Sequence, residues 1–314
     1  MKKRFKPIDL SRVKTYPLSQ RSSKVSTADF ARVWQKGAGF ADFFDSLPDI
    51  LAGSHLKAVV AAIVTAFQNK KTVVFAMGAH VIKVGLNPIV IDLMERGIIT
   101  AVAMNGAGII HDLELAMIGH TSEDVAASIE NGSFGMVRET CAFLNDAVQQ
   151  AGHQSAGLGE TIGASIIANN LPHANQSILA AGARLGIPVT VHVAIGTDIL
   201  HMHPGFDAEA TGRASHRDFR TLAAIIATLE QGVYLNVGSA VILPEVFLKA
   251  LTVARNLGHT LTTFTTVNMD FIRHYRPATN VVERPTAQGG QGFNLTGHHE
   301  IMLPLIAAGL IEQL

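Results

Sequence analysis

The feature that most constrains this chain is a repeated alternation of two periods. Short runs of β-branched and apolar residues, most of them closing on glycine or a small polar residue, are separated by longer stretches with helical spacing. KKTVVFAMG (70–78), IITAVAMNGAG (98–108), IPVTVHVAI (187–195) and GVYLNVGSA (232–240) are the clearest runs. Their near-continuous apolar character suits strands buried on both faces. HTLTTFTTVNMDF (259–271) is strand-rich as well. The spacing predicts helices over 27–36, 53–69, 87–96, 111–118, 134–150, 175–185, 216–231 and 244–258, and a closing helix through HHEIMLPLIAAGLIEQL (298–314), interrupted at Pro304. Pro244 at a first turn and Gly258 at a stop bracket the 244–258 helix. Helices between successive strands imply parallel pairing, right-handed crossovers and helices on both faces of one sheet. The expected fold class is therefore α/β.

Composition narrows the function classes. Hydrophobic residues make up 48% of the 314 residues and charged ones 16%, enough apolar material for a large core. With no linker rich in Pro, Ser or charge, the simplest division is an N-terminal arm (1–27) and one α/β domain (28–314). The 25 basic and 25 acidic residues balance, which leaves no electrostatic footprint for nucleic acid. The basic start MKKRFKP precedes no apolar stretch, so it reads as a solvated arm rather than a signal peptide. LKAVVAAIVTAF (56–67) is too short to span a bilayer and reads as a buried helix, so no membrane partner is expected. Cys141 is the only cysteine, which excludes a disulfide framework and a cysteine-based zinc site; a cytoplasmic location is the default. So few charges also suggest surface buried between subunits, hence a homo-oligomer.

In an open parallel sheet, ligands bind beyond the carboxyl ends of the strands. The residues delivered there are Gly78 and His80; Asn105, Gly106, Gly108, His111 and Asp112; Thr197 and Asp198; Gly238 and Ser239; and Asn268 and Asp270. Glycine corners let backbone N–H groups approach a phosphate. Several such corners on one sheet predict a nucleotide-sized pocket, although NGAGII lacks the third glycine of a GxGxxG pattern. HVAIGTDILHMHPGFD (192–207) leaves two functional readings open beside that of satisfied structural histidines. His192, His201 and His203 are a metal site, making the chain a metal-dependent hydrolase or isomerase, or they line the rim of an organic cofactor's pocket. The rim reading is preferred, because HMHP reads as a loop and His192 lies inside a strand. His298, His299 and Glu300 could do acid–base work, since histidine titrates near neutral pH.

The strand ends resemble those of the deoxyhypusine synthase-like family. GAHVIKVGLNPIVIDLMERGIITAVAMNGAGIIHDLE (78–114) resembles its segment leading to a Thr-Ala-Gly-Gly…Glu-Asp turn. ANQSILAAGARLGIPVTVHVAIGTD (174–198) resembles its Ile-Pro-Val strand ending in Thr-Asp-Gly, with Ile199 in place of the last glycine. VYLNVGSAVILPE (233–245) and GFNLTGHHEIMLPL (292–305) occupy the places of two further family segments. The resemblance implies a Rossmann-like sheet and NAD as cofactor. It implies that Gly78, Asn105, Gly106, Gly108, Asp112, Thr197, Asp198, Gly238 and Ser239 line the cofactor, and that His298, His299 and Glu300 face a small-molecule substrate. It also implies an assembly of several subunits, a tetramer in that family. One departure is large: no lysine lies between Val237 and Glu245, and Lys249 falls inside a predicted helix. The family's lysine-transfer step thus lacks its residue. The expectation is hydride transfer on a small amine or alcohol without lysine transfer. A non-catalytic nucleotide-binding protein is the remaining alternative.

Overall fold

The computed structural model describes residues 5–154 and 156–314. Its centre is a six-stranded, all-parallel sheet formed by β1 (Val73–Met77), β2 (Ala101–Asn105), β3 (Val189–His192), β4 (Val233–Val237), β5 (Thr265–Asp270) and β6 (Gln291–Thr296). The strand order is β3-β2-β1-β4-β5-β6, the order of dinucleotide-binding sheets. The fold is α/β and Rossmann-like.

Burial explains why the inner strands read as unbroken apolar runs. Every residue of β1 and of β4 is buried. Val73, Phe75 and Met77 point into a core that includes residues of α2 (Leu51–Gln68), α4 (Asn87–Glu95) and α5 (Gly106–Ile118). Val74, Ala76 and Tyr234 point the other way, into a core with α10 (Ala208–Ile226) and α11 (Ile242–Asn256). The remaining helices are α1 (Phe40–Ser46), α3 (His80–Lys83), α6 (Val125–Ile129), α7 (Arg138–Gln154), α8 (Leu158–Ala168), α9 (Ile178–Leu185), α12 (Tyr275–Pro277), α13 (Arg284–Thr286) and α14 (His299–Gln313). A π-helical segment, Ala278–Glu283, joins α12 to α13.

Polar residues fix register on the outer half of the sheet. Asn236, Asn268 and Asn294 sit at matching positions of β4, β5 and β6. Asn236 Nδ2 donates to Asn268 Oδ1 at 2.9 Å, and Asn268 Nδ2 donates to Asn294 Oδ1 at 3.2 Å. A one-residue slip would break this ladder and reverse the faces of every apolar side chain.

Several expectations are corrected. The helix expected over 27–36 is a single 3₁₀ turn, Thr27–Asp29, capped by Ser26. Its residues are largely solvent-exposed, so no packing extends that turn. Helix α8 and the helical run from Tyr275 to Thr286 were not expected, and β6 falls in a segment for which no strand was expected. Helix α5 begins at Gly106, so NGAG is a helix N-terminus and not a free turn. Helix α14 runs through Pro304 without interruption. The carbonyl that Pro304 cannot bond belongs to exposed Glu300, where water can reach it. Helix α2 is longer than its apolar run. Its 18 residues are enough by length and composition to cross a membrane, and here Leu56, Val59, Val60 and Ile63 pack in the core.

Residues 5–39 form no α-helix, and large apolar side chains along them are exposed, Ile8 and Val33 each at 84%. Residues 1–4 of the basic MKKRFKP stretch lie outside the described residues.

Candidate functional site

Because all six strands are parallel, their carboxyl ends share one edge. The crossover direction changes between β1 and β4, which is where such sheets open a crevice. Here the two glycine corners meet face to face. A methyl group on Gly78 would lie 2.2 Å from the Gly238 carbonyl oxygen. Gly238 has φ +66°, and a methyl group there would lie 2.7 Å from the His299 ring. These glycines permit close backbone approach and leave no open cradle between them. Ser239 is buried, and its hydroxyl accepts from Leu243 N at 3.1 Å in the first turn of α11.

His299, fully buried at the start of α14, lies over this corner. Its Nε2 is 3.3 Å from the Met269 carbonyl and 3.7 Å from Asp270 Oδ1, and its ring centroid is 5.3 Å from that of His80. Burial pushes its pKa down, against the opposing pull of Asp270. Its Nδ1 is buried with no hydrogen-bond partner among the described residues. His298 and Glu300 are exposed neighbours, 3.8 Å apart. The sequence grouped these three residues as one unit, but only His299 enters the corner.

The β2 corner is built differently. Asn105 caps α5, its side chain accepting from Gly108 N at 3.2 Å. Asp198, from the loop after β3, sits directly over Gly106, where a methyl group would lie 1.9 Å from Asp198 Oδ2. That oxygen is buried and has no hydrogen-bond partner among the described residues. Burial raises the Asp198 pKa, partly offset by His201. Thr197 turns its hydroxyl back to the Ala194 carbonyl at 2.7 Å.

Two residues expected to line a cofactor are turned into the protein. Gly108 faces the Met104 side chain, 3.1 Å from where its Cβ would stand, so it allows α5 to pack closely on β2. Asp112 is fully buried and accepts from Ser177 Oγ (2.5 Å), Ile178 N (2.9 Å), Leu179 N (3.1 Å) and Asn87 Nδ2 (3.1 Å). It ties the N-terminus of α9 to α5. The physical reason is helical geometry: positions 108 and 112 share the face of α5 turned into the protein.

The open space lies on the other face of α5. A cavity of about 720 Å³ is lined by Ala107, His111 and Glu114 of α5, Lys83 of α3, Thr197 and Asp198 of the β3 loop, and the 117–140 region. In it His111 Nδ1 is 2.7 Å from Thr121 Oγ1, which donates to Glu114 Oε2 at 2.5 Å. Thr140 Oγ1 also donates to Glu114, at 3.3 Å. Burial, with help from Lys83, pushes the His111 pKa down to about 4. Sequence reasoning passed over Lys83, Glu114 and Thr121. The available signal was i, i+3 spacing of His111 and Glu114, which puts both on one helical face.

The metal alternative is not assembled. Among the described residues, no three of His, Cys, Asp or Glu are grouped to hold an ion. His192 is buried, its Nε2 3.0 Å from Thr190 Oγ1, and burial pushes its pKa down to about 3. His201 Nδ1 accepts from Gly196 N at 3.0 Å and Asp198 N at 3.2 Å, organising the loop instead. Lys249 is an exposed α11 residue paired with Glu245.

No protein-family model matches this chain, and no curated protein does. Solved structures do resemble it in fold. A LOR/SDH protein from Methanococcus maripaludis is 14% identical with a TM-score of 0.54, the match covering 93% of this chain and 75% of that one. AgrE, solved as a ternary complex with ornithine and NAD+, is 12% identical with a TM-score of 0.53 over 84% of this chain. A protein assigned as a deoxyhypusine synthase from Entamoeba histolytica is 12% identical with a TM-score of 0.50, over 90% of this chain and 96% of that one. This chain spans about a third of AgrE, 34% of its length.

The residues at this edge fit a dinucleotide in two respects. A cavity of about 720 Å³ falls within the range of cofactor sites. Asp198 Oδ2, buried and without a partner among the described residues, is an acceptor that a ribose hydroxyl would satisfy.

Proposed function

We propose that this chain binds NAD across the carboxyl ends of the sheet and catalyses hydride transfer on a small amine or alcohol, without a lysine-transfer step. One observation carries the reading: the β3-β2-β1-β4-β5-β6 order brings a large cavity to the β2–β3 loops, beside Asp198 and the start of α5. Bound NAD supplies the hydride acceptor. In this reading Asp198 accepts from ribose hydroxyls, and Lys83, the one lysine on the cavity wall among the described residues, neutralises phosphate. His299, oriented by Asp270 and the Met269 carbonyl, holds a proton beside the corner. The absence of lysine from 238 to 248 removes any imine-forming group from that corner. The exposed apolar side chains of residues 5–39 support a homo-oligomer, since water is a poor partner for them.

Thermal unfolding with added NAD+ tests the cofactor assignment. At a hundredfold excess over Kd, binding adds about 2.7 kcal/mol. For a chain of 314 residues that corresponds to a rise of roughly 4 °C in Tm. Asp198→Ala should weaken the effect. No shift with millimolar NAD+ or NADP+ rules the assignment out.

A further inference from the structure

The cavity holds a hydrogen-bonded chain whose protons can be placed. Glu114, as a carboxylate, only accepts, and it takes the Thr121 hydroxyl proton at 2.5 Å and that of Thr140 at 3.3 Å. A hydroxyl has one proton, so Thr121 has none left for His111. His111 Nδ1, 2.7 Å from Thr121 Oγ1, must therefore be the donor in that contact. The neutral ring then carries its lone pair on Nε2. Nε2 has no hydrogen-bond partner among the described residues and is not one of the buried orphans, and His111 is on the cavity wall.

We propose that Glu114, Thr121 and His111 form a relay that presents an unprotonated His111 Nε2 to the cavity, where it accepts a proton from a hydroxyl or ammonium group bound there. The proton moves from the bound O–H or N–H to Nε2. Thr121 and Glu114 hold the resulting imidazolium through Nδ1–H, as an oriented carboxylate does in other base relays. This assignment rests on the hydride-transfer reading for its place in a reaction, since removing a hydride from an alcohol or amine carbon also requires loss of a proton from the heteroatom. It moves the acid–base role from His298–Glu300 to the cavity itself.

The groups that share the cavity with His111 are Lys83 from α3, Glu114 from its own helix, His120 and Glu123 from the following loop, Glu139 from α7 and Asp198 from the β3 loop. Burial and Lys83 disfavour the protonated ring, consistent with a base that is free at neutral pH.

The tautomer and the free lone pair can both be read without knowing the substrate. In ¹⁵N-histidine-labelled protein at pH 7, two-bond ¹H–¹⁵N spectra should show His111 as the Nδ1–H form, identified by its loss in His111→Gln. Thr121→Val should shift that population towards Nε2–H while Tm confirms folding. Diethyl pyrocarbonate acylates an accessible unprotonated ring nitrogen, and mass mapping gives its rate at each histidine. Between pH 7 and pH 5 an ordinary histidine with pKa near 6.5 loses about 25-fold in neutral fraction. His111 modification should change less than about twofold over that range. An Nε2–H tautomer, an unreactive His111, or a rate that falls about 25-fold over that range would each overturn the proposal. None of these measurements uses NAD, so failure of cofactor binding and failure of the relay are separate results.

Discussion

Asp112 offers the sharpest test of how this site is put together. The family resemblance implies a cofactor contact at Asp112, whereas in the structure its carboxylate ties α5 to α9. Asp112→Ala removes the acceptor for Ile178 N and Leu179 N, the orphan donors at the start of α9. Asn87 keeps its bond to the Gln176 carbonyl at 2.8 Å, and Ser177 Oγ still accepts from Ala180 N at 2.9 Å. Two buried amides left unpaired cost about 1–3 kcal/mol each. Relief of the carboxyl's own burial offsets part of this, giving a net loss of about 2–5 kcal/mol, or roughly 3–8 °C in Tm. The pH dependence has a definite sign. Burial raises the Asp112 pKa from 3.8 to about 6 against its four hydrogen bonds. The folded state therefore binds the extra proton between those values, and this group's contribution grows as pH falls from 7 to 5. The gap between wild type and variant should widen by about 1 kcal/mol over that range. Urea unfolding followed by circular dichroism at pH 7 and pH 5 reads both quantities, and NAD+ added to the folded variant reads cofactor contact. A variant as stable as wild type with weakened NAD binding would refute the structural role.

Two further outcomes follow from the same geometry. Gly238→Ala combines a left-handed backbone with a methyl group 2.7 Å from the His299 ring. It should lose more than about 2 kcal/mol in chemical denaturation, while Gly37→Ala, at φ +90° with open surroundings, should lose only about 1 kcal/mol. His192 has its pKa depressed to about 3 by burial, so the unfolded state binds more protons between pH 6.5 and 3. Its contribution to stability is present above 6.5 and lost as pH falls, and His192→Gln should flatten that part of the acid unfolding profile.

How much of this could be read from residues alone differs between the fold and the site. Strands β1, β2, β3 and β4 announce themselves because burial on both faces demands largely apolar runs, and a glycine directly follows β1, β2 and β4. Strand β6, QGFNLT, is partly exposed at the sheet edge and lacks that run, so only its six-residue pairing with β5, with Asn268 and Asn294 meeting across it, reveals it. Helix 27–36 fails for the opposite reason, a local capping signal at Ser26 with nothing to pack against. The local code therefore determined a parallel α/β sheet with its corners on one edge. What only the tertiary structure decided is which side of each corner is open. Gly78 and Gly238 close on each other, Asp112 turns into the interior, and His111, one residue earlier on the same helix, turns to the cavity. Adjacent helical residues point about 100° apart, and the packing of α5 against β2 and α9 selects which of them meets solvent.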